Sequence, residues 1–580
     1  MKLRTRAIDH LALARLTDQG LDPLRARLFA SRGVRNRDDC DLSIERMLPP
    51  RMLGLEAAAE RVAEAILAGA AIVVVGDYDC DGATGVACAV AGLRALGATI
   101  DYLVPSRFAD GYGLSPRVVD AAAVHPRVGR AALIVTVDTG IGAIAGVDRA
   151  NELGIPVIVT DHHLPGPVLP AAAAIVDPNQ VGCPFPAKSI AGVGVMFYLV
   201  VAVRARLRAL GRFTADSGRK EPALAALLDL VALGTVADIV ALDQNNRRFI
   251  AAGLGRIRSG RARPGIRALF QVAGRAPRQA TAGDLGYLIG PRINAAGRLA
   301  DMSLGIECLL AADADAAMGM AEELDRLNRE RREIEAGMNA QAQAATIDCP
   351  PEQRTLVVFD TGWHHGVIGL VASRIKDRHH RPCIALAPEA PGDADGPLRG
   401  SGRSIAGIHL RDVLDAIDRR HPGLLQRFGG HAMAAGLTLA PGRVADLAAA
   451  FEAAVTATVD AEVFERELLT DGPLSPAELS LATAERIDTE VWGQGFAPPL
   501  FSGRFRVLQQ RLIQDRHLRL VLQPAEDMPA HGSASQRFEA ICFGRCEPLP
   551  ALAAIAYRLQ RDDWQAMPRL SLVVVEVFEG

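Results

Sequence analysis

Short, wholly apolar segments alternate with helical patterns between residues 57 and 177, and this alternation constrains the fold more than any other feature. The segments read AIVVV (71–75), LIVTV (133–137) and PVIVT (156–160), and AAIVD (173–177) follows them. Strands that are apolar on both faces are typical of a parallel sheet covered by helices on both sides. The sequence therefore predicts an α/β domain with a parallel sheet in this region.

Acidic and imidazole side chains stand directly after these apolar segments. In chain order they are Asp77, Asp79 and Asp81, then Asp138, then Asp161, His162 and His163. The carboxyl ends of parallel strands meet at one edge of a sheet, where such sheets bind ligands, so we expect these side chains to converge. Asp238 lies in LGTVADIV, after a helix that we expect Gly234 to cap, and is expected to join them.

The grouped carboxylates repel one another unless cations lie between them. Hard oxygen ligands with one or two histidines suit Mn²⁺ or Mg²⁺ better than structural zinc. Two such ions about 3.5–4 Å apart can lower the pKa of a bridging water and neutralise a phosphoryl group. The helix predicted to open at Ala83–Thr84 directs its N-terminus to the same edge and favours anions there. A calcium loop of the EF-hand type is disfavoured, because Cys88 occupies the position of its glutamate.

Composition narrows the class of protein. The chain has 580 residues, enough for several domains, and its apolar fraction of 49% can fill their cores. The formal charge of −3 neither demands nor excludes an anionic partner. The nine cysteines contain no C-x-x-C pair, which fits a reducing cytoplasm without disulfides. The N-terminus lacks a signal-type apolar core and the longest apolar run (190–203) is short for a membrane span, so a soluble cytoplasmic protein is predicted.

The pattern along the chain predicts five regions. Residues 222–345 look mainly helical and include a long amphipathic connector, a second α/β unit begins near residue 355, and alternation over 501–523 indicates β-strands joined by a turn at Gln514–Asp515. The predicted regions are an N-terminal cap (1–56), the parallel-sheet domain (57–250), a helical region with the connector (251–345), a second α/β domain (346–460) and a C-terminal β-barrel (465–580).

Four motifs resemble, in the same order, the signatures of the DHH phosphoesterase superfamily: VGDYDCDG, TVDTG, TDHH and LGTVADIV. The later segments WHHGVIGLVASRI, GSGRSI and RFGGHAMAAG resemble the substrate-binding domain associated with that family, the DHHA1 domain. The segments PSRFADGYGL, RINAAGRL, LDRLNRERREIE and GQGFAPPLF are similar to those of its bacterial single-strand-specific exonucleases. The similarity spans nearly the whole chain.

The resemblance implies a role for each residue of the predicted metal site. It implies that two ions are held by Asp77, Asp79, Asp81, Asp138, His162 and Asp238. Asp138 would bridge both ions, whereas Val75 stands where some relatives have a histidine, so the first ion would lose a ligand. His163 would contact the scissile phosphate, pointing away from His162 if strand geometry persists. Asp161 would orient a histidine without touching the metal.

The resemblance also implies a set of nucleic-acid-binding residues. The glycines around Ser401, Arg403 and His431 would form a phosphate nest, for which tight turns between strands are the alternative. Arg107 and Tyr112 would reach the terminal nucleotide, with Tyr112 offering a stacking face. The route between the domains would be lined by Asn294, Arg298 and Arg374. The barrel would be an OB-fold that tracks the strand with Arg504, Arg506, Arg511, Arg516 and Arg519.

The function predicted in this way is metal-dependent 5′-to-3′ hydrolysis of single-stranded DNA to 5′-mononucleotides, in recombination and repair. The expected partners are single-stranded DNA, single-strand-binding protein and a RecQ-type helicase, and the protein is expected to be a monomer that binds no membrane. One alternative is a hydrolase of short oligoribonucleotides or cyclic dinucleotides, whose DHH relatives are usually shorter and lack the barrel. Another is an inactive DHH scaffold of the replisome, although every expected aspartate and both histidines are present.

Overall fold

The computed structural model describes residues 2–106, 113–350, 352–390, 392–393, 396–525, 536–562 and 567–578. Contacts divide the chain into two compact units. The larger unit comprises Arg4–Gly297, Asp301–Asp325 and Leu469–Gly580. The smaller unit comprises Met1–Leu3, Arg298–Ala300 and Arg326–Leu468. These units do not coincide with the five predicted regions, whose boundaries stay predictions.

A five-stranded parallel sheet forms the centre of the first part of the larger unit. The elements are β1 (Lys2–Thr5), α1 (His10–Asp18), α2 (Pro23–Ala30), α3 (Leu55–Leu67), β2 (Ala71–Gly76), α4 (Cys80–Ala95), β3 (Thr99–Leu103), α5 (Pro116–Ala122), β4 (Leu133–Val137), α6 (Ile144–Glu152), β5 (Val157–Thr160), β6 (Ala174–Val176) and α7 (Gly192–Ala209). The strand order is β3-β2-β4-β5-β6, and every neighbouring pair is parallel.

Helices cover both faces of this sheet, which confirms the predicted architecture. On one face, Val73, Val75 and Val159 pack against apolar side chains of α5 and α6. On the other face, Gly76 lies so close to α4 that a Cβ atom there would stand 2.2 Å from Cγ2 of Val86. The sequence pattern does not indicate β3, because Thr99 and Asp101 interrupt its apolar residues.

Helices follow the sheet, as predicted. They are α8 (Leu228–Ala237), α9 (Gln244–Arg258), α10 (Pro264–Val272), α11 (Ala282–Asp284), α12 (Gly290–Leu299), α13 (Ser303–Leu310) and α14 (Ala314–Ala345). A π-helical segment, Leu285–Ile289, joins α11 to α12. The predicted connector corresponds to α14, and the boundary between the two units falls within this helix. Among the described residues, no helix combines the length and the apolar character needed to cross a bilayer.

A mixed five-stranded sheet forms the smaller unit, which confirms the second α/β domain. Its elements are β7 (Leu356–Phe359), α15 (Ile368–His379), β8 (Cys383–Pro388), β9 (Leu398–Arg403), α16 (Leu410–Arg420), β10 (Leu425–Gly430), β11 (Ala434–Leu439) and α17 (Val444–Thr458). The strand order is β10-β11-β9-β8-β7, in which only the β7–β8 pair is parallel. The following strand, β12 (Glu467–Thr470), pairs with β1.

A closed barrel forms the C-terminal part of the larger unit, as the alternating pattern predicts. The elements are α18 (Leu481–Thr489), β13 (Phe501–Ile513), β14 (His517–Pro524), β15 (Phe538–Phe543), β16 (Leu552–Asp562) and β17 (Arg569–Phe578). The barrel closes in the order β13-β14-β15-β17-β16. Gln514 and Asp515 have φ values of 50° and 51°, which confirms the tight turn between β13 and β14.

The segment before the barrel packs closely against the N-terminal part of the same unit. Arg32 forms a two-pronged ion pair with Asp471 at 2.7 and 2.9 Å, and both side chains are buried. The guanidinium of Arg247 lies 3.8 Å from the ring centroid of Phe496. Removing residues 465–580 would therefore leave buried arginines without their partners, so the barrel is better probed by surface substitutions than by deletion.

Candidate metal centre and nucleic-acid-binding residues

The loop after β2 turns directly into α4. Asp79 is the N-cap of that helix, and its Oδ1 accepts a hydrogen bond of 2.9 Å from the Gly82 amide. The helix begins at Cys80, so the predicted start at Ala83–Thr84 was wrong, and Asp81 lies in the first helical turn. A Cβ atom at Gly82 would stand 2.4 Å from the Asp77 carbonyl oxygen. Glycine therefore closes the aspartate-rich segment because no side chain fits there.

Asp81 is held by the N-terminus of another helix. The amides of Gly192 and Val193 at the start of α7 donate to its Oδ2 and Oδ1 at 2.6 and 3.0 Å, and the side chain is completely buried. The expected capping role of Gly234 was wrong, since this residue lies inside α8 and Asp238 takes the C-cap position. A Cβ atom at Gly234 would stand 2.7 Å from Oδ1 of Asp81. This glycine therefore allows α8 to approach the carboxylate.

Asp138 and His162 bring the separate carboxylates to one place. Asp138 follows β4 with a φ of 59°, a left-handed conformation that aspartate tolerates better than most residues. Nε2 of His162 lies 2.9 Å from Oδ1 of Asp138, 3.5 Å from Oδ2 of Asp238 and 4.0 Å from Oδ2 of Asp81. The first turn of α4, the residues that follow β4 and β5, and the end of α8 thus bring possible ligand atoms to one point.

Among the residues that the structure describes, three overlapping groups of side chains have ligand atoms within 4.8 Å of one another. They are Asp77, Asp79 and Asp138; then Asp81, His162 and Asp238; then Asp138, His162 and His163. The structure therefore brings together all six predicted metal ligands, and Asp138 belongs to two of the groups. His162 also belongs to two groups, so Asp138 and His162 together connect all three. Val75 lies in the apolar core and offers no ligand.

The electrostatics of this cluster call for cations. Burial, together with the charge of Asp79, raises the pKa of Asp81 to about 7. Burial and the neighbouring carboxylates also raise the pKa values of Asp138 and Asp238 well above the usual range. Divalent ions would offset this repulsion, and the mixture of carboxylate oxygens with imidazole nitrogen fits Mn²⁺ or Mg²⁺.

His163 stands beside His162, so the predicted divergence of their side chains was wrong. The two ring centroids are 4.5 Å apart, because β5 ends at Thr160 and strand alternation no longer applies. Oδ1 of Asp161 lies 2.7 Å from Nδ1 of His163. Burial lowers the pKa of His163, but its hydrogen bond to Asp161 outweighs this and raises the pKa to about 9. The contact with Asp161 therefore favours the protonated ring of His163 and orients it.

Ser401 and Arg403 lie next to each other on one face of β9. Nη1 of Arg403 donates to Oγ of Ser401 at 3.0 Å. A Cβ atom at Gly369, in the first turn of α15, would stand 2.8 Å from Nη2 of Arg403. The predicted backbone nest was wrong here, because β9 is paired on both sides and its amides serve the sheet. His431 lies between β10 and β11, and its amide donates to the Ala434 carbonyl.

The other residues predicted to bind nucleic acid lie in different parts of the fold and make different contacts. Oδ1 of Asn294 accepts a hydrogen bond of 2.8 Å from the Cys80 amide, so this side chain holds the start of α4. Arg298 donates to the Gly366 carbonyl at 3.1 Å, and Arg374 donates to Glu335 at 3.1 Å. The five barrel arginines predicted to track the strand are all exposed: Arg504, Arg506, Arg511, Arg516 and Arg519. Arg107 and Tyr112 lie outside the described residues.

Motif reasoning missed the groups that hold the ligands in place. The amides of Gly192 and Val193 leave no signature in the sequence, because any residue other than proline supplies an N–H. The contact of Asn294 with α4 spans more than two hundred positions of the chain, although the motif that contains Asn294 is recognisable. Only the fold makes these contacts visible.

Comparison with known proteins decides the family. The model of the DHH family N-terminal domain matches residues 71–235, that of the DHHA1 domain matches 352–457, and that of the RecJ OB domain matches 470–576. The single-stranded-DNA-specific exonuclease RecJ of Salmonella typhimurium is 48% identical, over 96% of this chain and 96% of the relative. The chain belongs to the RecJ family. The RecJ of Escherichia coli is 50% identical over 91% of each chain.

Solved structures of RecJ agree with this assignment. The crystal structure of RecJ in complex with Mn²⁺ from Thermus thermophilus superposes with a TM-score of 0.80 at 29% identity, covering 100% of this chain and 80% of that one. A second structure of the same protein contains Mg²⁺ and superposes with a TM-score of 0.75 at 28% identity. The resemblance seen in the sequence motifs is confirmed.

Proposed function

We propose that the protein is a metal-dependent exonuclease that degrades single-stranded DNA from its 5′ end to 5′-mononucleotides, in recombination and repair. The observation that carries this proposal is that Asp138 lies close both to Asp77 and Asp79 and to His162 and His163, in a chain of the RecJ family. We propose that Asp138 is a ligand of both ions. Two Mn²⁺ or Mg²⁺ ions, when bound, supply an activated water and neutralise the charge of the phosphoryl group.

Residues of the chain orient the side chains at this centre, and one of them is proposed to bind the scissile phosphate. The start of α7 fixes both carboxylate oxygens of Asp81, and Asp161 orients the imidazole of His163. A cationic imidazole donates a charge-assisted hydrogen bond to a phosphate oxygen, which stabilises negative charge that develops there. We therefore assign His163 to the scissile phosphate, with Asp161 as its positioning residue.

The proposal is tested with the full-length protein on long single-stranded DNA, in Mn²⁺ and with EDTA added. A strand labelled at its 5′ end is expected to release a labelled mononucleotide first, whereas the matching duplex stays intact. Faster hydrolysis of short RNA or of cyclic dinucleotides would favour the alternative hydrolase. Absence of any Mn²⁺-dependent hydrolysis would favour the inactive scaffold.

We infer that strand direction is set by a pocket for the 5′-terminal phosphate at Ser401 and Arg403. A metal pair cannot distinguish strand directions, because each phosphodiester presents the same charge. Arg403→Ala is expected to raise KM for a 5′-phosphorylated strand about tenfold to a hundredfold, since hydrogen bonds to charged groups contribute about 1.5–3 kcal/mol. KM for the 5′-hydroxyl strand should change little. The measurement compares otherwise identical strands that carry a 5′-phosphate or a 5′-hydroxyl.

The control for this variant is Arg411→Ala, which removes an exposed arginine from α16 of the same unit. It should leave both KM values unchanged. If Arg403→Ala preserves the wild-type preference for 5′-phosphate, the pocket lies elsewhere.

We assign the exposed arginines of the barrel to strand binding. Replacing Arg511 and Arg516 together with alanine is expected to weaken binding of long single strands and to flatten its dependence on salt. The slope of log K against log salt should fall by about 0.7 for each phosphate that the barrel no longer neutralises. Hydrolysis of very short oligonucleotides should persist, because the residues of the metal cluster are unchanged in this variant. Fluorescence anisotropy across a salt series measures the change.

The matched control removes two exposed arginines elsewhere, Arg51 and Arg61, so that the net charge changes equally. An identical loss of affinity in this control would mean that total charge, and not the barrel surface, drives binding.

The finer assignments are also proposals. Single-strand-binding protein and a RecQ-type helicase are the proposed protein partners, since both create or coat the proposed substrate. All nine cysteines are free, which supports a reducing cytoplasm as the place of action. We propose that the protein works as a monomer.

A further inference from the structure

The side chain of Asn179 binds two carbonyl groups from separate loops of the larger unit. Its Nδ2 donates to the His162 carbonyl at 2.6 Å and to the Lys188 carbonyl at 3.3 Å. Its own amide donates to Oδ1 of Asp177 at 2.7 Å, and Asp177 directly follows β6. Asp177 thus restrains the backbone of Asn179, whose side chain reaches the loop after β5.

This contact matters because His162 lies two residues beyond Thr160, where β5 ends. Its backbone is held from both sides, since its amide donates to Asp161 at 2.8 Å and its carbonyl accepts from Asn179. The bond from Asn179 ties this backbone to the loop that follows β6. The imidazole is thereby placed where Nε2 meets Asp138 and Asp238.

The same amide reaches the segment that leads to α7. Lys188 lies four residues before Gly192, whose amide holds Asp81. Asn179 therefore links the loop that carries His162 to the segment that orients Asp81. A disturbance at Asn179 would shift two of the groups that converge at the metal centre.

We propose that Asn179 is a positioning residue for the divalent-cation centre, acting through the backbone of His162 and the segment before α7. This inference rests on the proposed function insofar as that function requires the cations. The chemistry demands a side chain with two N–H groups, because both partners are carbonyl acceptors. Aspartate has the same shape but offers no donor when ionised, and alanine offers none.

The test uses the full-length protein freed of metal and titrated with Mn²⁺ alone, with free Mn²⁺ followed by electron paramagnetic resonance. Asn179→Ala and Asn179→Asp are expected to weaken Mn²⁺ binding about tenfold or more, as loss of groups that orient metal ligands typically does. In the nuclease assay, the Mn²⁺ concentration for half-maximal activity should rise equally. Saturating Mn²⁺ should restore most of kcat, with KM for DNA unchanged.

The matched control is Asn151→Ala, which removes a similar amide-to-carbonyl hydrogen bond, to Ala171 at 3.1 Å, in the same unit. It should bind Mn²⁺ like the wild type. Wild-type Mn²⁺ affinity in both Asn179 variants, an equal loss in the control, or activity that saturating Mn²⁺ does not recover would each overturn the proposal. The titration needs no nuclease activity, so failure of the proposed function would be seen separately.

Discussion

Asp138→Asn is expected to reduce Mn²⁺-dependent hydrolysis of single-stranded DNA by about 10³-fold or more, because the proposed bridging ligand would serve both ions and metals supply several kcal/mol of charge stabilisation. Asparagine keeps the shape of the side chain and tolerates the left-handed backbone at this position, where φ is 59°. The substitution therefore removes a charge without imposing a new backbone strain. Binding of the strand should persist, since the proposed phosphate contacts lie elsewhere.

The measurement pairs single-turnover hydrolysis in Mn²⁺ with strand binding by anisotropy in EDTA. The melting temperature of the metal-free variant should equal or exceed that of the wild type, because burial and repulsion raise the pKa of Asp138 and make its charge costly. Asp148→Ala, an exposed carboxylate on α6, is the control. Activity above about a hundredth of wild type in Asp138→Asn would contradict the bridging role, since that loss corresponds to less than about 3 kcal/mol.

The parallel sheet and its acidic edge could be predicted because both depend on short-range patterns. Apolar runs of four to six residues, each ending in a carboxylate or imidazole, specify strands whose carboxyl ends meet. The approach of Asp138 to Asp77 and to the segment that carries His162 follows from that geometry, because each of these lies just after a strand. The tight turn at Gln514–Asp515 was predictable for a similar reason, since local alternation on both sides fixes its place.

Other features depend on contacts between distant parts of the chain. The orientation of His163 could not be predicted, because it depends on where β5 ends and on a hydrogen bond to Asp161. The role of Gly234 depends on how closely α8 approaches Asp81 and not on helix termination. The glycines around Ser401 resemble those of a turn, yet pairing with two neighbouring strands makes the segment extended.

Gly192→Ala is the second change with a large expected effect, because this glycine touches two of the carboxylates at once. A Cβ atom there would stand 2.6 Å from Cβ and 2.8 Å from Oδ1 of Asp138, closer than real side chains approach. Its amide also holds Oδ2 of Asp81 at 2.6 Å. Relief of the overlap must therefore move Asp138 away from α7, or α7 away from Asp81. A shift of about 1 Å can cost about 10²-fold in rate.

We expect Gly192→Ala to lose about 10²-fold or more in kcat, to bind Mn²⁺ more weakly, and to lose about 1–3 kcal/mol of unfolding free energy through overpacking. The matched control is Gly255→Ala on α9, where an added Cβ meets nothing within 4 Å and the helix should gain stability. Mn²⁺ titration, single-turnover rates and urea unfolding measure the three quantities on both variants. Unchanged Mn²⁺ affinity together with wild-type kcat in Gly192→Ala would show that α7 can retreat without disturbing the carboxylates. The precise seating of this helix would then have no part in forming the metal centre.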